Sequence, residues 1–200
     1  MSTPCWIVLL LWAVVGCASA GPPANDPLYR VDIGHSPVRG PDDATVTVVV
    51  WCDFECRFCK RVSSDLEALR SEHGSDLRIV WKHRPLASHS HALLAAQAAL
   101  AAEAQGKFWE LDNLMIANHE DLSKDAILGL AKQGGLDVAR LQADLDAHTY
   151  AGALAADKAA ASELEINGTP TFVINGRKVV GALPIEEIRK TIEASIADKQ

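Results

Sequence analysis

The sequence predicts an α/β fold: a mixed β-sheet with helices on both faces, interrupted by a helical subdomain. Three observations carry this. A β-branched, apolar run from Thr45 to Trp51 is followed by a helical pattern and a second apolar run, Leu77 to Lys82. An Ala/Leu-rich stretch of helical period then fills about residues 86–165. After Gly168 the period returns to that of strands, and a last helical pattern closes the chain. The order β-α-β, helices, β-β-α is that of a layered α/β domain with an insertion.

The elements follow in order. Tyr29 to Ile33 alternates in polarity and reads as a short edge strand, and Ser36 to Asp43, with two prolines and a glycine, reads as a loop. Thr45 to Trp51 is nearly all apolar, as suits a strand buried on both faces. Arg57 to Glu72 places Phe58, Val62, Leu66 and Leu69 on one helical stripe. With Leu77 to Lys82 these form a βαβ unit, whose strands are expected to be parallel. The inserted block reads as helices over Ser90–Gln105, Lys107–Asn118, Lys124–Gln133, Val138–Ala147 and Thr149–Leu164. Ser123 and Asp137 are its clearest N-caps, and Gly106 and Gly134-Gly135 its stops. Thr171–Ile174 and Lys178–Val180 flank Asn175-Gly176, a hairpin signal, and Pro184 at the first helical position starts Ile185–Ala197.

Trp6 to Val15 is an apolar run of signal-peptide length, shorter than a bilayer span. Residues 1–20 therefore read as a leader, residues 21–43 as a tether and N-terminal edge segment, and residues 44–200 as the domain. Two processing readings stand. Ala18-Ser19-Ala20 before Gly21 fits a small-residue cleavage site, and Val14-Val15-Gly16-Cys17 fits a lipobox, in which Cys17 is lipidated. The first basic residue is Arg30, so the usual positive start of a leader is missing. Either reading exports the body to the periplasm or cell envelope, where disulfide chemistry is permitted.

Composition sets bounds. Without the leader roughly 180 residues remain, the size of one domain or one domain with an insertion. The net charge of −7, with both signs mixed along the chain, gives no support for nucleic-acid binding, which requires a basic face. Of the five cysteines, Cys5 and Cys17 fall in the leader, and Cys52, Cys56 and Cys59 crowd into eight residues. A structural disulfide framework would be spread over the fold, so the clustering points to a site.

Cys56-Arg57-Phe58-Cys59 follows a strand and opens a helix. Two thiols at this spacing can close a disulfide across one turn. The first lies where unpaired helix N–H groups favour a thiolate, the attacking species in thiol–disulfide exchange. Two other readings stay open: an inert structural pair, and a zinc site in which Cys52, Cys56 and Cys59 join His83, His89 or His91. No second CxxC or HxxxH pattern supports the zinc site.

From about Tyr29 onward the chain resembles the DsbA-like thiol–disulfide oxidoreductases of the thioredoxin fold. The resemblance rests on Asp53-Phe54-Glu55-Cys56-Arg57-Phe58-Cys59, Lys82-His83-Arg84-Pro85-Leu86, Gln105-Gly106-Lys107-Phe108-Trp109, Gly168-Thr169-Pro170-Thr171-Phe172 and Asn175-Gly176. It implies a thioredoxin-like fold, with Cys56 as a nucleophile nearer solvent and Cys59 as the resolving thiol. It implies a Cys56 pKa below the free value of ~8.5, with Arg57 and Phe58 tuning the site. Pro170 resembles the cis-proline that faces the thiols, where the Thr169 backbone would pair with an extended substrate. No cofactor is implied. The partners implied are exported proteins carrying thiols or disulfides and a membrane or periplasmic redox partner. With no dimerisation segment evident ahead of the fold, a monomer is the simplest assembly. The expected activity is that of a dithiol oxidase. The alternatives are a reductase or isomerase, and a non-catalytic metal- or peptide-binding module.

Three departures bear on the chemistry. Arg57 stands where the family often has proline. Val50 stands where an acidic residue commonly assists the resolving thiol, which leaves Lys82, Glu55 or water as substitutes. Cys52 reads as a buried apolar thiol, or else as a trap for Cys56 or a metal ligand. His89 and His91 read as surface or capping residues, and Trp81, Phe108 and Trp109 as core.

Overall fold

A computed structural model describes residues 28–198; the leader, its cleavage motif and Cys17 lie outside the described residues. The sheet has five strands in the order β1-β3-β2-β4-β5. They are β1 (Val38–Arg39), β2 (Val46–Cys52), β3 (Leu77–His83), β4 (Thr171–Ile174) and β5 (Arg177–Val180). β2 and β3 run parallel, with Val46 opposite Leu77 and Cys52 opposite His83. The other pairings are antiparallel. The expected thioredoxin-like α/β fold is the one observed.

β2 is central and buried on both faces, which is why its sequence is a run of valines and not an alternation. Val46, Val48, Val50 and Cys52 face the main core with Leu77, Ile79 and Trp81 of β3. Helix α1 (Arg57–His73) covers that face with Cys59, Val62, Leu66 and Leu69, and α7 (Ile185–Ala197) adds Ile188 and Ile192. Val49, Trp51, Val80 and Val173 face the opposite side, against Ala161, Leu164 and Ile166. Each valine, leucine and isoleucine among them contributes about 1.5–3 kcal/mol on full burial.

The inserted block forms α2 (Ala92–Glu103), α3 (Phe108–Ala117), α4 (Lys124–Gln133), α5 (Val138–Asp146) and α6 (Ala151–Glu163). Both expected caps form. Ser123 Oγ accepts from the Ala126 N–H at 3.4 Å and Asp137 Oδ1 from the Arg140 N–H at 3.0 Å. The hairpin turns on Asn175 and Gly176, with φ of 44° and 88°, the left-handed pair that an Asn-Gly turn supplies. Asn175 also stitches the turn to the sheet, accepting from the Thr47 N–H at 2.9 Å and donating to the Thr45 carbonyl at 3.1 Å.

Local reading departs from the structure in three places. Tyr29–Ile33 is not a strand; the edge strand is Val38–Arg39, inside the segment expected to be a loop. Tyr29, Val31 and Ile33 pack as side chains against the second core, so their alternation reflects burial without pairing. Pro184 is the N-cap of α7, one position before the first helical residue. Phe58 leaves the buried stripe of α1 and is 42% exposed, its place inside taken by Cys59.

Candidate active site

Cys56 is the N-cap of α1, at the C-terminal end of the parallel β2–β3 pair. The Cys59 and Lys60 N–H groups donate to its carbonyl at 2.9 and 3.2 Å, which starts the helix directly on the first thiol. Cys56 is 6% exposed and Cys59 0%, so the first sulfur is the one with an outlet to solvent. Cys52, Cys56 and Cys59 are all free thiols, so the structure is of the dithiol state. The Asp53 N–H points at Cys59 Sγ, 3.4 Å away.

The Thr169–Pro170 peptide bond is cis. It brings the Thr169 carbonyl to 3.6 Å from Cys56 Sγ, which donates to it. Residues more than a hundred positions apart in sequence thus meet at the first thiol.

The Cys56 thiol is not depressed below its ordinary value in this state. The hydrogen bond shared with the Cys59 thiol pushes it up, burial adds to that, and the contacts with Thr169 and the Cys59 backbone only partly oppose. Burial pushes Cys59 up, and so does its hydrogen bond with Cys52. Cys52 is raised first by its own burial. The Arg57 guanidinium lies over the Phe58 ring, 4.7 Å from the centroid, and both residues face solvent.

A histidine–carboxylate clasp holds the loop after β3 against the thiols. Asp53, 2% exposed, accepts from the Glu55 N–H at 2.8 Å, the Leu86 N–H at 2.8 Å and His89 Nδ1 at 2.9 Å. Glu55 accepts from the His91 N–H at 2.8 Å and lies 3.2 Å from His91 Nδ1. Burial lowers the His89 pKa, but the Asp53 hydrogen bond and the charges of Asp53, Cys56 and Glu55 outweigh it and leave it raised. When protonated, His89 presents positive charge toward Cys56. Sequence reading gives His89 and His91 surface or capping roles; His91 is indeed the N-cap residue of α2, and the contact of His89 with Asp53 is what that reading lacks. The available signal was the pair of carboxylates, Asp53 and Glu55, immediately before the first cysteine.

Neither Lys82 nor Glu55, the substitutes expected for the missing acid, is seen in contact with the resolving thiol. Lys82 lies on the opposite face of the sheet, paired with Asp157 at 2.9 Å, and Glu55 is occupied by His91. Cys52 is 1% exposed, a buried thiol whose sulfur meets Cys59. Trp81 and Phe108 are core, as expected; Phe54 and Phe108 each contact both the Trp81 and the His83 ring. Among the described residues, one group of three ligand-type side chains comes within 4.8 Å: Glu72, His73 and Glu193, away from the thiols. The cysteine–histidine set proposed for zinc is not gathered. Beside His89 runs a groove of about 470 Å³, lined by Leu86, Leu93, Leu154 and Lys158 among others. Among the described residues, no helix is long and apolar enough to cross a membrane.

Comparison with known proteins agrees with this geometry. The sequence profile of a thioredoxin family matches residues 32–194. Among curated proteins, the Na(+)/H(+) antiporter NhaA 3 of Salinispora tropica is 38% identical over 86% of this chain, which covers 26% of that protein. The NhaA antiporter of Herminiimonas arsenicoxydans is 35% identical over 87% of this chain and 27% of its own length. The chain thus spans about a quarter of the curated relatives it matches. Among solved structures, a thioredoxin-like oxidoreductase from Silicibacter pomeroyi superposes with a TM-score of 0.75 at 29% identity, covering 83% of this chain and 94% of that one. BdbD from Bacillus subtilis, in its oxidised form, gives 0.77 at 25% identity, covering 86% of this chain and all of the other. By its profile match, the chain belongs to the thioredoxin family.

Proposed function

We propose that this chain is an exported thiol–disulfide oxidoreductase that exchanges disulfides with protein substrates, acting as a dithiol oxidase. In the oxidising direction a substrate thiolate attacks Cys56 of the Cys56–Cys59 disulfide. Cys59 leaves, and a second substrate thiol resolves the mixed disulfide on Cys56. In the reducing direction Cys56 attacks and Cys59 resolves.

The single observation that carries this reading is the meeting of Cys56 Sγ and the Thr169 carbonyl at 3.6 Å, with Cys59 fully buried one turn behind. A substrate strand laid along Thr169 would bring its sulfur to Cys56 and not to Cys59. The groove beside His89 offers an apolar path for the rest of the segment. The oxidising direction is favoured by what holds the reduced sulfurs: the Thr169 carbonyl at Cys56 and the Asp53 N–H at Cys59. Every interaction that stabilises the dithiol makes the disulfide a stronger oxidant.

The test is a redox titration of the Cys56–Cys59 couple against glutathione, with two variants. Cys56→Ser abolishes exchange, and Cys59→Ser accumulates a mixed disulfide with substrate. A potential near that of a strong oxidant, about −120 mV, is expected; one near about −270 mV makes the chain a reductase. The absence of any reversible couple overturns the reading.

A further inference from the structure

The exchange reaction uses two of the three thiols gathered at the end of β2, and the third is packed against the second. Cys52 closes β2 and faces the main core, on the same side as Val48 and Val50. Cys59 enters that core from α1. The peptide N–H that follows Cys52, that of Asp53, points at Cys59 Sγ from 3.4 Å. Fixed peptide geometry puts this nitrogen about 2.4 Å from Cys52 Cα, so Cys59 Sγ lies within about 6 Å of that atom. Cα atoms joined by a disulfide are about 4.4–6.8 Å apart, so a Cys52 side chain reaches this sulfur. The Cys52 thiol shares a hydrogen bond with it, and Cys56 shares another. Contacts therefore run from Cys56 to Cys59 to Cys52, from the solvent side inward. Cys52 is 1% exposed and Cys59 0%, against 6% for Cys56.

We propose that Cys52 is an internal exchange partner of Cys59: in the oxidised protein the disulfide passes from Cys56–Cys59 to Cys52–Cys59, which withdraws it from substrates and returns Cys56 as a free thiol. The transfer rests on the exchange reaction proposed above, which supplies the Cys56–Cys59 disulfide. Cys52 loses its proton as its sulfur attacks Cys59 Sγ. The Cys52–Cys59 bond forms, the Cys56–Cys59 bond breaks, and the electron pair of the broken bond leaves on Cys56. Cys56 takes up one proton, so the protein gains and loses no electrons and no net protons. Cys56 suits the leaving role, because it sits at the helix start with an outlet to solvent.

Burial pushes the Cys52 thiol up, so little of it is ionised and its attack is slow. A protein that meets substrate promptly reacts at Cys56 first. An idle one moves its disulfide inward, between two sulfurs closed to solvent, and presents Cys56 alone. In that form it cannot oxidise a dithiol, and Cys56 exchanges without a resolving partner. Attack of Cys56 on Cys59 reverses the transfer.

The experiment oxidises the full chain with diamide, removes the oxidant, and maps the disulfides at intervals after an acid stop and blocking with N-ethylmaleimide. Cleavage after Glu55 and Arg57 puts Cys52, Cys56 and Cys59 on three separate peptides, and cleavage after Arg30 sets Cys5 and Cys17 apart. In the natural protein Cys56–Cys59 is expected first, followed by Cys52–Cys59 with the maleimide on Cys56. In Cys52→Ala the late maleimide label on Cys56 disappears. Cys56→Ser keeps a residue that helices accept at the N-cap, so it folds, and its mapping decides if Cys52→Ala does not. It is expected to form Cys52–Cys59 at least about tenfold faster than Cys59→Ser forms Cys52–Cys56, because only the first pair is in contact. A natural protein that keeps Cys56–Cys59 alone overturns the transfer, and so do equal rates in the two serine variants. A Cys56–Cys59 disulfide that forms but does not react with a peptide dithiol overturns the exchange reaction instead.

Discussion

His89 Nδ1 lies 2.9 Å from Asp53 Oδ2, and this contact ties the loop after β3 to the residues that lead into the first thiol. Asp53 cannot be replaced there by a neutral acceptor of one bond, because the same carboxylate also takes the N–H groups of Glu55 and Leu86. The raised His89 pKa means that the folded state holds its proton to higher pH than the unfolded chain. Its stabilising contribution is complete below the ordinary histidine value of about 6.5 and is lost as pH rises through the elevated one.

His89→Gln keeps a donor for Asp53 but removes the charge that faces Cys56. Alkylation of Cys56 by iodoacetamide at pH 6, below the ordinary histidine value, should slow by roughly three- to tenfold, with little change in thermal stability. An alkylation rate equal to that of the natural protein would show that the histidine only fastens the loop.

How much of this was legible in the sequence follows the range of the interactions. The β2 run, the Asn-Gly hairpin and the Ser123 and Asp137 caps are decided within a few residues, and each appears where local chemistry puts it. The CxxC at a helix start and the Thr169-Pro170 turn were also readable, because each carries a local signature. The edge strand was misplaced because alternation at Tyr29–Ile33 records burial against Val49 and Val173, not pairing. His89 was missed because its meaning depends on Asp53, 36 positions away. The buried Asp112 of α3, 3% exposed, was missed for a similar reason. A carboxylate in Phe108–Ala117 reads as the wet side of a helix, yet α3 is covered on that side by α1 and the sheet.

The same Asp112 has a cost in stability. Burial raises its folded pKa to about 8, above its ordinary value of 3.8, with the Arg39 charge partly opposing. Between these values the folded state binds more protons than the unfolded one, so stability falls as pH rises across that window. By pH 7 the loss amounts to about 4 kcal/mol. Asp112→Asn should therefore be more stable than the natural protein by roughly 2–4 kcal/mol at pH 7, with the difference shrinking toward pH 4. Urea melts of both proteins across this range would measure it. A difference that does not change with pH would contradict the protonated carboxyl.

His83 gives the opposite slope. Burial lowers its pKa to about 4; Asp157 resists this and Lys82 reinforces it. Both ring nitrogens are buried without partners, between the rings of Phe54 and Phe108. From about 6.5 down to about 4 the unfolded chain binds the proton that the folded state refuses, so stability drops as pH falls through that window. His83→Leu should be more stable than the natural protein by about 2 kcal/mol at pH 5 and should lose that advantage above pH 7. Equal acid midpoints for the two proteins would refute this account.

Lys82 and Asp157 test whether the two faces of the sheet act independently. Their side chains are 5% and 9% exposed and 2.9 Å apart. Lys82 Nζ also donates to Ser36 Oγ at 2.8 Å and the Ile33 carbonyl at 3.3 Å, and Asp157 Oδ2 accepts from the His83 N–H at 2.8 Å. The pair thereby pins α6 and the segment before β1 to the back of β3. Asp157→Ala leaves a buried ammonium without its counter-ion and strands the His83 N–H, which should cost about 3–5 kcal/mol. Replacing both partners, Lys82→Met with Asp157→Leu, removes the unpaired charge and should recover most of that loss. Because the pair faces away from the thiols, the rate of disulfide exchange per folded molecule should stay within about twofold of the natural protein in the double variant. A double variant that folds but exchanges at a tenth of the natural rate would show that the back of the sheet governs the thiols, and that the clasp at Asp53 and His89 is not their only support.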